Sequence, residues 1–103
     1  MEMTSNIEKD SKKYKFILFV SGMSFKSMKA IENIGRICET YLKENFELEI
    51  IDVSKDPGLA VDYQLIGLPT LIKVEPTPTR VILGDLSDTN KVLKILTIEQ
   101  QNV

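Results

Sequence analysis

The chain has 103 residues, a size that fits one compact domain, and its 43% hydrophobic and 27% charged residues allow both a core and a solvated surface. Its formal net charge of −2 argues against nucleic-acid binding, which needs a clustered basic footprint. With one cysteine, Cys38, and no histidine, it can form no intramolecular disulfide and offers no Cys/His cluster for zinc, iron or copper.

The first residues differ in character from the rest. Residues 1–13 are mostly polar and predict a flexible N-terminal tail, followed by a single domain over residues 14–103. The opening MEMTSNIEKD has no apolar signal core, and no apolar run approaches the length of a membrane span. We therefore expect no membrane contact and a cytoplasmic protein.

The first half predicts a strand, a long helix and a second strand. Residues 16–20 form a continuous apolar run, typical of a strand buried on both faces. Ser24 offers an N-cap, and apolar residues then recur every three or four positions as far as Leu42, with Asn45 as a reasonable stop. Residues 46–53 alternate and then continue apolar, which predicts a second strand. The crossover helix makes these two strands parallel.

A short helix is expected next. Asp56 and Pro57 have the character of an N-cap and a first helical residue, and Gly67 can close the helix after Ile66. Pro69 then precedes the third strand, where thioredoxin-like folds carry a cis proline, so we expect a cis bond here. The alternative is an ordinary trans turn, since only about 5–6% of X–Pro bonds are cis.

Two strands and a helix complete the pattern. Residues 71–74 and 80–83 are joined by a short proline-punctuated connection, which predicts an antiparallel pair. Ser87 is expected to cap the last helix, and Asp85 and Asp88 suit its N-terminal end. The order β-α-β-α-β-β-α predicts an α/β, thioredoxin-like fold with one mixed central sheet and helices on both faces.

The residues offer little catalytic chemistry. A redox thioredoxin needs a Cys-x-x-Cys pair after the first strand, but residues 21–27 read SGMSFKS. Cys38 lies in the apolar stripe of the long helix, which favours a buried core residue. The serines of residues 21–27 are explained by capping, since no histidine exists to activate them. No calcium-loop or Walker spacing occurs, so no catalytic residue, cofactor or metal is predicted.

A resemblance to a known family indicates a function that the residue types alone do not. Residues 51–93 read IDVSKDPGLAVDYQLIGLPTLIKVEPTPTRVILGDLSDTNKVL. This stretch resembles the KaiB pattern, with I-D-V at a strand end, D-P-x-L-A at a helix start, P-T-L at a strand entry, then G-D-L-S and K-V-L. Residues 19–22, FVSG, are similar to the family's aromatic-V-A-G. The resemblance covers everything except the N-terminal tail.

The resemblance implies a non-enzymatic adaptor that binds the ring of a KaiC-like ATPase and regulates it, in circadian-type or stress-adaptation control. It also implies two packings of one sequence. The thioredoxin-like monomer binds the partner, whereas the resting form is a homo-oligomer, a dimer or a tetramer, whose C-terminal half packs differently. Pro69, Pro76 and Pro78 lie in the half that would rearrange.

The sequence departs from the family at several positions. Glu49 stands where clock members commonly carry a lysine that helps to hold KaiA, so we expect no KaiA binding. Gln64 replaces a family lysine used against KaiC. Ile95, Thr97 and Gln100 replace a glycine, an aspartate and a tyrosine that tune the balance between the two packings.

The expected contact surface is the segment of residues 55–70, together with two later charges. The candidate contacts are Lys55, Asp56, Gln64, Lys73 and Arg80. Each of them has the alternative interpretation of ordinary solvated surface. Two other functions stay open: a remnant thioredoxin-fold enzyme that binds glutathione or a related thiol beside Pro69, and a self-associating structural module.

Overall fold

The computed structural model describes residues 13–98. Its strands and helices are β1 Tyr14–Val20, α1 Phe25–Ile37, β2 Phe46–Asp52, α2 Gly58–Asp62, β3 Thr70–Glu75, β4 Arg80–Leu83 and α3 Thr89–Leu96. The predicted order is confirmed. Apart from Lys13, the predicted tail lies outside the described residues. Within residues 13–98, no helix combines the length and the apolar character needed to cross a membrane.

The four strands form one mixed sheet in the order β2-β1-β3-β4. β1 and β2 are parallel, with Tyr14 opposite Phe46, as the crossover helix requires. β3 is antiparallel to β1, and β4 is antiparallel to β3, with Ile72 opposite Val81. The apolar run predicted as a strand buried on both faces is thus β1, which is central together with β3, and β2 and β4 are the edges of the described sheet.

One face of the sheet carries the core. Phe16, Leu18 and Val20 alternate along β1 and point to the same side, where α1 and α3 cover them. The helices contribute Ala30, Ile34, Ile37, Val92, Leu93 and Leu96 to this cluster. Burying one such side chain stabilises the fold by roughly 1.5–3 kcal/mol, so this face holds most of the hydrophobic stabilisation.

Among residues 13–98, helical structure lies at one end of the opposite face, which we call the open face. Phe19 is fully buried there, and its ring lies 4.7 Å from that of Tyr63, which follows α2 directly. Helical segments therefore lie on both faces, as predicted. On the same face Val81 and Leu83 of β4 are exposed.

The first helix begins as expected and ends slightly early. The Ser24 side chain accepts a hydrogen bond from the Ser27 N–H at 3.2 Å, which confirms the predicted N-cap. A π-helical turn, Cys38–Leu42, continues α1. Lys43 then takes a positive φ of 56°, so the helical segment stops before the predicted Asn45.

The predicted cap of the last helix was wrong by one residue. The Asp88 side chain, not that of Ser87, accepts from the Lys91 N–H at 3.2 Å, and α3 begins at Thr89. Ser87 is instead held in a turn by Asp85, whose Oδ1 accepts from the Ser87 N–H at 3.0 Å. A carboxylate at the cap also suits the positive end of the helix.

The short helix also differs at both ends. Pro57 is the N-cap residue, and no side-chain capping bond forms, so Asp56 does not cap. The helix ends at Asp62, and Gln64 takes the left-handed conformation with φ of 56°. The chain therefore leaves the helix three residues before Gly67, which was expected to close it.

Candidate partner-binding surface

Four connections meet at one end of the sheet. β1 and β2 are parallel, so both end there, and β3, which is antiparallel to β1, begins there. β4 ends beside the start of β3. Residues 21–24, 53–57, 67–69 and 84–88 therefore share this end of the sheet, which we call the loop end.

A carboxylate joins the first two of these connections. Asp52 Oδ1 accepts hydrogen bonds from the Ser54 hydroxyl at 2.7 Å, the Gly22 N–H at 2.8 Å and the Ser54 N–H at 3.0 Å. Gly22 has φ of 56°, a left-handed conformation that glycine adopts without strain. The Ser54 hydroxyl, followed by the two N–H groups, lowers the pKa of Asp52 because these bonds favour the ionised carboxyl.

This network predicts a pH dependence of stability. Because the pKa of Asp52 is lower in the folded chain, its contribution is present above the unfolded pKa of about 3.9 and is lost as the pH falls through the folded value. The Asp52→Asn variant should therefore be less stable at neutral pH and lose less stability on acidification. Urea unfolding at a series of pH values measures this, with Asp62→Asn as the control. An unchanged pH profile in Asp52→Asn would contradict it.

The other two connections are also held together. The Gly84 N–H donates to the Pro69 carbonyl oxygen at 2.9 Å. The Asn33 side-chain amide, on α1, donates to the Asp85 carbonyl oxygen at 2.8 Å. Asn33 is buried, so this bond satisfies a polar group in the interior and ties the loop end to the long helix.

The proline step has the expected geometry. The Leu68–Pro69 bond is cis, and the Pro69 side chain is fully buried. The Thr70 hydroxyl donates to the Gly67 carbonyl oxygen at 2.6 Å. A Cβ on Gly67 would come within 3.1 Å of a Leu83 methyl carbon, so this close approach favours glycine. The segment before β3 is thus fixed against the start of β3 and the end of β4.

Three large exposed apolar side chains lie at the loop end or directly beside it: Met23 within it, and Phe25 and Ile66 each one residue outside its bounds. Met23 is 80% exposed, Phe25 78% and Ile66 90%. Lys29 Nζ lies 6.0 Å from the centre of the Phe25 ring, a cation–π distance. None of the three was predicted from the sequence as a surface anchor, and the prediction that Ile66 belongs to the short helix was wrong, since that helix ends at Asp62. We call Met23, Phe25 and Ile66 the apolar anchors.

The predicted contact residues divide into two groups. Lys55, Asp56 and Gln64 are exposed, and they lie in the connection after β2 and in the segment after α2. Arg80 lies elsewhere, at the start of β4, where it is half-buried and Nη1 donates to the Thr79 carbonyl oxygen at 3.4 Å. The loop end therefore brings the first three near the apolar anchors but not Arg80.

The predicted position of Lys73 was wrong. It was predicted as a surface contact or as solvated surface, yet its side chain is 0% exposed. Nζ donates to the Leu96 carbonyl oxygen and to Thr97 Oγ1, both at 3.1 Å, and lies 5.9 Å from the centre of the Tyr14 ring. Lys73 points to the core face because it shares the parity of Leu71 along β3. It joins β3 to the C-terminal end of α3 and is not available to a partner.

The family resemblance implies a change of packing, and the residues that it connects with this change lie in the C-terminal half. The Glu75–Pro76 and Thr77–Pro78 bonds are cis and lie in the connection between β3 and β4. Ile95 is half-buried on α3, and Thr97 has φ of 57° at the end of that helix. Gln100 lies outside the described residues. A second packing of this half stays a prediction.

The corner after β1 holds no reactive group of the thioredoxin kind. The Ser24 hydroxyl donates to Ser27 Oγ at 2.9 Å, and the Ser21 N–H donates to the same Ser27 oxygen at 3.1 Å. Cys38 is buried in the core as predicted, and burial, with a smaller effect of the Glu39 charge, raises the pKa of its thiol to about 12. The thiol therefore stays neutral at physiological pH. Within residues 13–98 no group of three or more acidic or cysteine side chains could hold a metal.

Comparisons with known proteins all point to one family. The family model described as "KaiB domain" matches residues 17–98. The chain is 45% identical over 76 residues to circadian clock protein KaiB3 of Synechocystis sp., covering 74% of each chain. It is 43% identical over 82 residues to the circadian clock oscillator protein KaiB of Synechococcus sp. (strain CC9311), covering 80% of this chain and 69% of that relative.

Solved structures agree on the fold. The N-terminal domain of Synechococcus elongatus SasA matches with a TM-score of 0.67 and 24% identity, covering 89% of this chain and 90% of that domain. Chloroplastic thioredoxin z matches with a TM-score of 0.69 and 15% identity, covering 94% of this chain and 90% of that one. At these identities the likeness establishes a thioredoxin-like fold and nothing further.

Proposed function

Because the chain belongs to the KaiB family, whose named relatives are circadian clock proteins, we propose that it is a non-enzymatic adaptor that binds and regulates a KaiC-like ATPase. The regulation is of the circadian or stress-adaptation type. The contact surface is the loop end, with the apolar anchors at its centre and Lys55, Asp56 and Gln64 around them.

The exposure of the apolar anchors carries this proposal. A phenylalanine, a methionine and an isoleucine, each more than three-quarters exposed, are not explained by the stability of the isolated domain. Interfaces are enriched in aromatic residues and methionine at their centres and are polar at their rims. The hydrogen bonds that Asp52 accepts and that Asn33 donates hold the surrounding connections in place, which reduces the ordering cost of binding.

The side chains of the loop end favour binding over catalysis. The serines after β1 form hydrogen bonds with one another and with the first turn of α1. Cys38 is buried, and burial raises the pKa of its thiol. The Thr70 hydroxyl beside Pro69 is committed to a backbone carbonyl. A glutathione-binding remnant enzyme therefore has less support than an adaptor.

An affinity-capture experiment tests the proposal. The tagged full chain is incubated with lysate of its host cell in the presence of ATP, and the captured proteins are identified by mass spectrometry. We expect a KaiC-like ATPase, and we expect its recovery to fall with Met23→Lys but not with Ile50→Lys, a control on β2. Capture that never contains such an ATPase would refute the proposal.

We also propose that the chain does not bind KaiA. Glu47 and Glu49 are exposed on the open face of edge strand β2, and Glu47 Oε2 lies 3.1 Å from Lys13 Nζ. The Glu49 carboxylate at the position of a family lysine, with Glu47 beside it, opposes a partner surface that is complementary to that lysine.

Size-exclusion chromatography of the chain mixed with a purified KaiA should show no shared peak. Glu49→Lys is the matched variant, because it restores the family charge at an exposed position without disturbing the core. A stable KaiA complex of the unmodified chain would contradict the prediction.

A further inference from the structure

Met23 presents the more exposed sulfur of the two methionines within residues 13–98. It is 80% exposed in the connection between β1 and α1, whereas Met28, in the first turns of α1, is 45% exposed. A peroxide must reach the sulfur atom to oxidise it, so accessibility decides which methionine reacts first. The position most open to oxidation therefore lies within the loop end.

Other side chains offer a mild oxidant little competition. The chain has one cysteine, no histidine and no tryptophan. Cys38 is fully buried, and burial, with a smaller effect of the Glu39 charge, raises the pKa of its thiol to about 12. Peroxides react with the thiolate, so this thiol is both inaccessible and in its unreactive form. The usual redox-sensitive group is thus closed off, while the Met23 thioether is open.

We propose that Met23 is a redox modification site, at which peroxide forms a reversible methionine sulfoxide that weakens partner binding. The thioether sulfur takes one oxygen of hydrogen peroxide as the O–O bond breaks, and the other oxygen leaves with both hydrogens as water. The sulfur loses two electrons, which the peroxide gains. A methionine sulfoxide reductase with a dithiol reverses the step, giving the thioether, water and a disulfide.

Oxidation at this position changes the chemistry of the contact surface, and the inference therefore rests on the proposed function. A flexible apolar side chain becomes polar and chiral, with an oxygen that accepts hydrogen bonds. At an apolar interface centre that oxygen loses water without gaining a donor, which opposes binding. The fold should not change, because Met23 lies mostly outside the core.

Peptide mapping of the free chain tests the selectivity without any partner. The purified full chain is treated with limiting hydrogen peroxide and digested with trypsin, which separates the two methionines at Lys26. Mass spectrometry should show the sulfoxide of Met23 forming faster than that of Met28, with an unchanged circular dichroism spectrum. Equal rates, or faster oxidation of Met28, would overturn the inference.

Isothermal titration calorimetry against the purified KaiC-like ATPase with ATP tests the consequence. Oxidised chain, freed of peroxide, should bind about 10-fold more weakly or worse. Reductases for both sulfoxide epimers, with dithiothreitol, should restore the affinity. In Met23→Leu the affinity, whatever its value before peroxide, should be the same afterwards; this variant keeps three of the four methionines and accounts for their oxidation. Met28→Leu should respond to peroxide as the unmodified chain does.

The outcomes distinguish this modification from the adaptor function itself. Untreated chain that binds, with the same affinity after oxidation of Met23, would overturn the modification site and leave the adaptor function in place. A loss of affinity on oxidation that persists in Met23→Leu would also overturn it. Untreated chain that does not bind the ATPase would refute the adaptor function, and the effect of oxidation on binding with it.

Discussion

Lys73→Ala should lower the free energy of unfolding by about 2–4 kcal/mol. The side chain is fully buried, so the variant loses the packing of its alkyl stem and leaves a cavity beside the sheet. It also removes the donor to the Leu96 carbonyl oxygen and to Thr97 Oγ1 at the end of α3. Urea denaturation followed by circular dichroism measures the loss.

Lys73→Met separates the two causes. Methionine keeps an unbranched apolar stem but removes the ammonium group, and replacing a buried charge with an apolar residue is often close to neutral. We therefore expect a smaller loss than with alanine. A loss of less than about 0.5 kcal/mol in Lys73→Ala, the range of an ordinary surface substitution, would contradict the buried position of Lys73.

Phe25→Ala should weaken binding of the KaiC-like ATPase by roughly 30-fold or more, which corresponds to about 2 kcal/mol, the threshold of an interface hot spot. Its ring is 78% exposed in the isolated chain and lies at the loop end among the apolar anchors. Burial against a partner would remove most of that area from water. The stability of the isolated chain should change little, because the ring contributes little to the core.

Isothermal titration calorimetry against the purified ATPase with ATP measures the change in affinity. Ile50→Ala is the matched control, since it removes an exposed apolar side chain from β2 away from the four connections. We expect it to bind like the unmodified chain. Equal affinities for Phe25→Ala and the unmodified chain would place the contact surface elsewhere.

The regular elements were predictable because local signals and tertiary structure agree. The apolar run of residues 16–20 became the central strand, and the helix between two strands imposed their parallel pairing. The position of Pro69 before the third strand indicated the cis bond that the structure contains. Burial was sufficient to predict the strand and chain connectivity to predict the parallel pairing, whereas the cis bond was predicted from the place of Pro69 in a thioredoxin-like fold.

Lys73 was misassigned although a signal for its burial was present. Residues alternate between faces along β3, so Lys73 lies on the same side as the buried Leu71. A lysine is rarely buried, so its charge alone predicted an exposed side chain. The partners that make burial possible, Leu96 and Thr97, follow more than twenty residues later, and only the fold brings them close.

The apolar anchors were missed for a related reason. Met23 and Phe25 lie outside the apolar stripe predicted for the first helix. That position was the signal in the sequence that their side chains are exposed. Ile66 was predicted to be the last residue of a helix that in fact ends at Asp62. That the three share one end of the sheet follows from strand order, which composition and periodicity do not fix.

Native mass spectrometry of the purified chain mixed with the KaiC-like ATPase of its own host, in the presence of ATP, tests the adaptor function most directly. We predict a complex of the two proteins that is depleted when Phe25→Ala replaces the unmodified chain and retained with Ile50→Ala. Two components that stay separate at every mixing ratio, with the chain folded throughout, would contradict the adaptor function.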